Sequence, residues 1–223
     1  MGSSLTTSLL ASNQAQGNRS AIYLYWLPLG AGGVGFVRLN GRIYETFKAR
    51  IEGRQPLDLY HTALEIRLPE GRFTVENAWP SPDTDIASRG VVVEGPVFSP
   101  RLSRFRPFRY EVRCWRDGVI ADADEAVEVQ LLSGDEDRAR QVLDLVATVP
   151  RMVWGRDQLG VGEMWNSNSV ISYLLARAGV HAESLRPPAG GRAPRWEAGI
   201  LASRIEAGRS EGPGHIRKRA LLI

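Results

Sequence analysis

An alternation of apolar and polar residues over 60–68, followed by a turn and a second run of the same kind, constrains the fold more than any other feature of the sequence. The turn is Pro69-Glu70-Gly71, and residues 73–79 return. Because successive side chains of a strand point to opposite faces, the pattern predicts an antiparallel hairpin with one apolar face. That face needs another element to cover it.

The alternation also predicts the register of this hairpin. The apolar residues of both strands must share one face, which pairs odd positions with even ones and sets Glu76 opposite Ala63. His61 then lies on the other face from Leu64, one diagonal step from Glu76 and within side-chain reach of it. Glu65 takes the place of Glu76 beside His61 if the register slips by two residues.

A short helix over 168–178 is the second constraining feature. Its apolar residues recur at helical spacing on one face: Val170, Ile171, Leu174, Leu175 and Ala178. The run Asn166-Ser167-Asn168-Ser169 can cap the first turn, because Asn and Ser side chains accept hydrogen bonds from its free amides. Gly179 suits the left-handed position that ends a helix. A helix start carries partial positive charge, so the polar run is either a set of caps or part of a site for an anion or oxyanion.

The remaining elements are mostly strands, so the sequence predicts an α+β fold in which a short helix packs on an antiparallel sheet. Further strands are expected at 22–27, 90–98, 108–115 and 127–132, with a hairpin around Asn40-Gly41. A second helix is expected between the capping box at 133–136 and Pro150, and a short last element at 200–206. We expect a disordered leader at 1–20, a single domain over 21–206 and a flexible basic tail at 207–223.

The composition excludes several classes of site. The one cysteine, Cys114, allows no internal disulfide and no cysteine-rich metal site, and we expect no cofactor or metal. No apolar run is long enough to span a membrane and no secretory signal opens the chain, so a cytoplasmic location is expected. The glycine-rich stretch 30–35 precedes a predicted hairpin, whereas a phosphate cradle precedes a helix. The sequence sets no oligomeric state.

An arginine-rich segment at 101–109 raises the question of nucleic acid. Its four arginines alternate with phenylalanines, a pattern found in proteins that bind single-stranded nucleic acid. The same pattern occurs in solvated edge strands that use charge against aggregation. The net charge of the chain is only +3, so we favour the edge strand and do not expect a nucleic-acid partner.

Two short motifs resemble the circularly permuted papain-like hydrolases, relatives of the NlpC-type cell-wall peptidases and of the lecithin:retinol acyltransferase-like proteins. Tyr60-His61-Thr62-Ala63-Leu64 is similar to the histidine strand of that family. Asn166-Ser167-Asn168-Ser169-Val170-Ile171 is similar to its nucleophile helix, which typically begins with Asn-Cys. The resemblance covers roughly residues 35–80 and 150–180. Serine stands where the family has cysteine.

The resemblance implies Ser167 as nucleophile, His61 as base and Glu76 as the group that orients the base. Backbone amides at the helix start would form the oxyanion hole, with Asn166 and Asn168 as further oxyanion donors or caps. A hydroxyl is not ionised by a site that ionises a thiol, so His61 would have to remove the proton during attack.

Two functions follow from this resemblance. One is a hydrolase or acyltransferase that uses the Ser-His-Glu arrangement on an amide or ester bond of a small peptide or acyl substrate. The alternative is a catalytically inactive papain-like domain that binds a peptide or acyl ligand. They differ in one geometric requirement, because only the enzyme needs the His61 imidazole within reach of the Ser167 hydroxyl.

Overall fold

A computed structural model describes residues 20–29, 45, 49–50, 53, 55–80, 90–120, 122–160, 162–188 and 190–210. The predicted leader up to residue 19, the glycine-rich stretch 30–35, the hairpin around Asn40-Gly41 and the tail from residue 211 lie outside the described residues. Within them the chain forms one antiparallel sheet with α-helices packed on it, which confirms the predicted α+β class.

Six strands form the antiparallel sheet, in the order β4-β5-β3-β2-β1-β6. Their bounds are β1 Ala21–Pro28, β2 Asp58–Leu68, β3 Gly71–Ala78, β4 Val91–Pro96, β5 Arg109–Arg116 and β6 Glu128–Ser133. A two-residue strand, β7 Gly191–Arg192, pairs with the start of β2 in parallel. The arginine-rich segment is not an edge strand: it forms two 3₁₀ turns, Leu102–Arg104 and Arg106–Phe108, between β4 and β5.

The β2–β3 hairpin has the predicted register. Leu64 pairs with Val75 and Ile66 with Phe73, so the apolar residues of both strands share one face. The β2–β3 ladder ends at the Leu64–Val75 pair, whereas β3 stays paired with β5 through Ala78. The first half of β2 is therefore bonded to β1 on one side and lies beyond the β3 ladder on the other.

Three helices follow the sheet strands in the described part of the chain: α1 Glu136–Val146, α2 Ser167–Arg177 and α3 Trp196–Ser210. Asp135, within the predicted capping box, is the N-cap of α1 and accepts a hydrogen bond from the Arg138 amide at 2.7 Å. Gly179 has φ +70° just after α2, as its position predicted. Helix α3 is longer than the predicted last element at 200–206 and includes residues 207–210, so the predicted start of the tail at residue 207 is wrong.

The two faces of the sheet differ, and this difference decides which side chains of β2 can contact helix α2. The main core lies between the helices and one face, where Leu64 and Ile66 of β2 pack with Ile171 and Leu174 of α2. The opposite face carries a small apolar cluster of Leu27, Ala63 and Ile120, the last from the segment that joins β5 to β6. No helix among the described residues is long and apolar enough to cross a membrane.

Candidate functional site

The start of α2 packs against the first half of β2, and Asn168 makes the contact. Its amide nitrogen donates to the carbonyl oxygen of Tyr60 at 2.9 Å and to that of Pro194 at 3.0 Å. Its amide oxygen accepts the Thr62 hydroxyl at 3.0 Å. Asn168 and Thr62 are both buried, so these bonds replace water that neither group can reach. Asn168 thus joins the helix to the strand beyond the end of the β2–β3 ladder.

Other polar side chains of α2 bind the chain just before and at the start of α3. Asn166 forms a capping box with Ser169, in which each side chain bonds the backbone amide of the other residue. Asn166 also donates to the Pro194 carbonyl at 3.3 Å, and Ser169 donates to the Arg195 carbonyl at 2.8 Å. Ser172, one turn on, donates to the Trp196 carbonyl at 2.7 Å. The polar run therefore acts as caps and as ties between two helices.

Ser167 is the member of the run that has no such role. It is the first residue of α2, it is buried, and its hydroxyl makes no hydrogen bond with a described residue. A serine in this position needs an adjacent base to become a nucleophile. The buried hydroxyl found at the contact between this helix and the strand is that of Thr62, which is not a base.

His61 lies on the face of β2 that points away from α2. It alternates with Thr62, which contacts the helix, and it pairs with Leu27 of the opposite cluster. No hydrogen bond or ion pair joins its imidazole to a described residue. Burial lowers the pKa of His61 from 6.5 to about 4, because a protonated imidazole would lose its hydration there. His61 and Ser167 are thus separated by the sheet.

Glu76 and Glu65 are engaged elsewhere. Glu76 forms an ion pair with Arg113 at 3.5 Å, and burial raises its pKa despite this partner. Glu65 accepts the Tyr25 hydroxyl at 3.2 Å and Arg67 at 2.7 Å. Neither carboxylate contacts His61, although both share its face of the sheet as the alternation predicted. The diagonal His61–Glu76 contact is not formed, since the two strands leave each other after the Leu64–Val75 pair.

The structure therefore does not bring Ser167, His61 and Glu76 together. Their catalytic roles stay predictions, and their arrangement does not provide the proton transfer that those roles require. Cys114 offers no substitute, since it is half-buried on β5 and burial raises its thiol pKa to about 11. No cluster of three His, Cys, Asp or Glu side chains able to hold a metal ion occurs in the described part of the chain.

A groove of about 480 Å³ lies on the molecule away from the start of α2, and the sequence did not predict it. It is open to solvent and is lined by the end of β4, the turn that follows, the start of β5 and the residue after Pro150: Glu94, Gly95, Pro96, Pro100, Ser103, Arg104, Arg109 and Arg151. Two of these arginines come from the 101–109 segment. The third, Arg151, is about forty positions away in the sequence, so the arginine pattern alone could not reveal the site.

The comparisons with known proteins add no assignment. No family model, curated protein or solved structure matches the chain. The resemblance to the permuted papain-like hydrolases stays a prediction that rests on the two short motifs.

Proposed function

We propose that this protein is a non-catalytic binding domain that holds an acidic peptide segment in the arginine-lined groove. It differs from the binding alternative inferred from the sequence, an inactive papain-like domain that binds a peptide or acyl ligand, because this groove lies away from the start of α2. The observation that carries it is the placement of Arg104, Arg109 and Arg151 around one open space of about 480 Å³. A groove of this size accommodates a few residues of an extended peptide.

The three arginines are not equivalent. Arg109 is fixed: it donates to the Ser103 carbonyl at 2.5 Å and lies 3.6 Å from the Glu94 carboxylate. Arg104 and Arg151 are exposed, and neither forms an ion pair with a described residue. The Arg104 guanidinium lies over the Phe105 ring, 4.7 Å from its centroid, which leaves its edge N–H groups able to bond a ligand carboxylate, as are those of Arg151.

Apolar groups beside the arginines favour a peptide over a small inorganic anion. Pro96 and Pro100 line the groove. Phe98 and Phe105 are not part of its lining but belong to the same stretch of chain, 96–105, and are 58% and 49% exposed. Phe98 has φ +59°, a left-handed conformation that is unfavourable for a residue with a bulky side chain. An exposed aromatic on a strained backbone, such as Phe98, is typical of binding surfaces, where it covers an apolar side chain of the partner.

The same groove argues against nucleic acid. Glu94 lies within it, 3.6 Å from Arg109, so of the three arginines that line the groove only Arg104 and Arg151 have no carboxylate of the lining beside them. Binding that depends on phosphate neutralisation needs several unopposed cations along a track. The groove offers two such cations, Arg104 and Arg151.

The test is fluorescence anisotropy with a labelled short peptide in which glutamate alternates with phenylalanine, against the same peptide with glutamine. The glutamate peptide should bind more tightly, and its affinity should fall as salt rises. The Arg104→Gln/Arg151→Gln double variant should bind it about tenfold more weakly, a loss of about 1.4 kcal/mol. Arg209→Gln, which removes an exposed arginine of α3, is the matched control and should bind normally.

Equal affinity for the two peptides, or a double variant that binds like the wild type, contradicts the proposal. The hydrolase alternative is tested in parallel with a fluorophosphonate probe. It requires labelling that Ser167→Ala abolishes and His61→Ala strongly reduces. The binding proposal expects no labelling at Ser167, since no base lies beside its hydroxyl among the described residues.

A further inference from the structure

We propose that the outer edge of β6 is a self-association surface, on which the β6 strand of a second copy pairs antiparallel. This inference is independent of the arginine groove, because the groove lies by β4 and β5, whereas β6 ends the sheet on the opposite side. The observation behind it is a stripe of exposed aliphatic side chains on a strand whose outer backbone is not paired with any described strand.

The stripe consists of Val129 and Leu131 of β6, which are 47% and 58% exposed, and of Val127, the residue before β6, which is 56% exposed and whose amide still donates to the Trp26 carbonyl of β1. Alternate residues of a strand share a face, so these three form one continuous apolar row. Behind the row, Tyr23 and Tyr25 of β1 pair with Leu131 and Val129 and extend the apolar surface. Single exposed apolar residues are common on proteins, but a row on an open strand edge is a template for another strand.

The strand at the other edge of the sheet, β4, has features that prevent edge-to-edge pairing with another strand. Strand β4 has an irregularity between Val91 and Val93, a charged Glu94 and a terminal Pro96, each of which interrupts edge-to-edge hydrogen bonding. Strand β6 is regular over 128–131, with its register shift at the far end next to Ser133. The edge of β6 therefore lacks the irregularity and the proline of β4 over 128–131, and its one charged residue is Glu128.

The residues of β6 are self-complementary in one register. With a two-fold axis at Val129, each Val127 lies opposite the partner's Leu131, and the two copies of Val129 face each other. On the other face Glu128 lies opposite the partner's Gln130, so no like charges meet. An axis at Glu128 would oppose two glutamates. An axis at Gln130 would leave Val127 opposite the partner's Ser133. The Val129 register is the one that pairs the whole apolar row.

The expected dimer is weak. Five paired residues from each copy bury far less than the roughly 1,200–2,000 Å² of a stable interface. Their apolar contacts and backbone hydrogen bonds suit a dissociation constant on the order of 10–100 µM. The association should therefore be reversible and visible in a concentration series.

The first experiment is sedimentation velocity of the full chain from about 5 to about 500 µM. The wild type should shift from monomer to dimer over this range. Val129→Lys opposes two charges at the axis and should remain a monomer. Val119→Lys, at a valine that is 68% exposed in the loop after β5, adds the same charge and should dimerise normally. Mixing Val129→Lys with Val129→Glu should restore a dimer, which shows that both variants are folded.

The second experiment tests the register. Oxidation of Val129→Cys should produce a disulfide-linked dimer, since residues opposite each other in antiparallel strands have Cβ atoms close enough for a disulfide. Val127→Cys should not, because residue 127 is displaced by four positions, roughly 13 Å, from its own copy. The native Cys114 is not expected to interfere, since burial raises its thiol pKa to about 11.

A wild type that stays monomeric at the highest concentration overturns the inference. So does a dimer that Val129→Lys leaves intact, or equal crosslinking of the Val127→Cys and Val129→Cys variants.

Discussion

The neutral state of His61 offers the most direct test of the sidedness of the sheet. Burial lowers its folded-state pKa from 6.5 to about 4. In the unfolded chain the imidazole is hydrated and becomes protonated below about pH 6.5. Between these values the unfolded state binds more protons than the folded state, so the free energy of unfolding must decrease as pH falls through this window.

The size of the effect follows from the two pKa values. At about pH 5 the unfolded imidazole is almost fully protonated and the folded one is not, which lowers the free energy of unfolding by about 2 kcal/mol; the limit below pH 4 is about 3 kcal/mol. For a chain of this size, the loss at pH 5 corresponds to a melting temperature about 6 °C lower. Above about pH 7.5 the contribution vanishes.

The measurement compares wild type with His61→Gln, which does not titrate. In urea unfolding, the stability difference between them should move by about 2 kcal/mol in favour of the variant between about pH 7.5 and about pH 5. Carboxylates elsewhere titrate in both proteins and cancel. NMR should show the His61 imidazole titrating near pH 4. An imidazole that titrates above pH 6, or a stability difference that does not change with pH, would refute the argument, because it would place His61 in water or beside an anion.

Two further predictions concern the contacts of α2. Gly199→Ala should destabilise the protein by about 3 kcal/mol in urea unfolding, because the added methyl group overlaps the Ser169 carbonyl of α2. Gly208→Ala is the control: it has open space around it in the same helix α3 and should stabilise the protein by about 0.5 kcal/mol. Equal effects of the two variants would mean that α2 and α3 are not in close contact. Asn168→Ala should cost about 3 kcal/mol, because it leaves the Thr62 hydroxyl and the Tyr60 carbonyl buried without their partner. The exposed Ser184→Ala is the control and should change stability by less than about 0.5 kcal/mol; a similar small loss in Asn168→Ala would show that water replaces the amide.

Local sequence patterns determined much of the fold. The alternation over 60–68 and 73–79 contained the β2–β3 register, because a slip of one residue would turn every apolar side chain of a strand to the wrong face. The caps at Asn166 and Gly179 fixed the ends of α2 to within one residue, since cap chemistry depends on the few residues at each end. The sequence predicts too short a last helix, because the apolar residues of α3 do not follow a clear helical period. Packing against α2 stabilises this helix instead.

The same alternation indicated that His61 would not face the helix. It placed Thr62 on the apolar face with Leu64, and His61 on the opposite face. A helix that packs on the apolar face must therefore meet Thr62, and this is the residue that Asn168 bonds. A nucleophile and its base need to lie on the same side of the strand, and two short motifs along the chain do not ensure this.

Tertiary structure alone decided that α2 is the element that covers the apolar face at the first half of β2, and that Asn168 is the residue that meets Thr62 there. That choice depends on where the largest apolar surface is buried, which sums contributions from strands and helices far apart in the sequence. It also created the arginine groove, since Arg151 joins Arg104 and Arg109 only after α1 returns the chain to the end of β4. The sequence determined the elements and their faces through short-range periodicity and capping. The site depends on contacts between residues separated by forty to one hundred positions, and no local pattern encodes these.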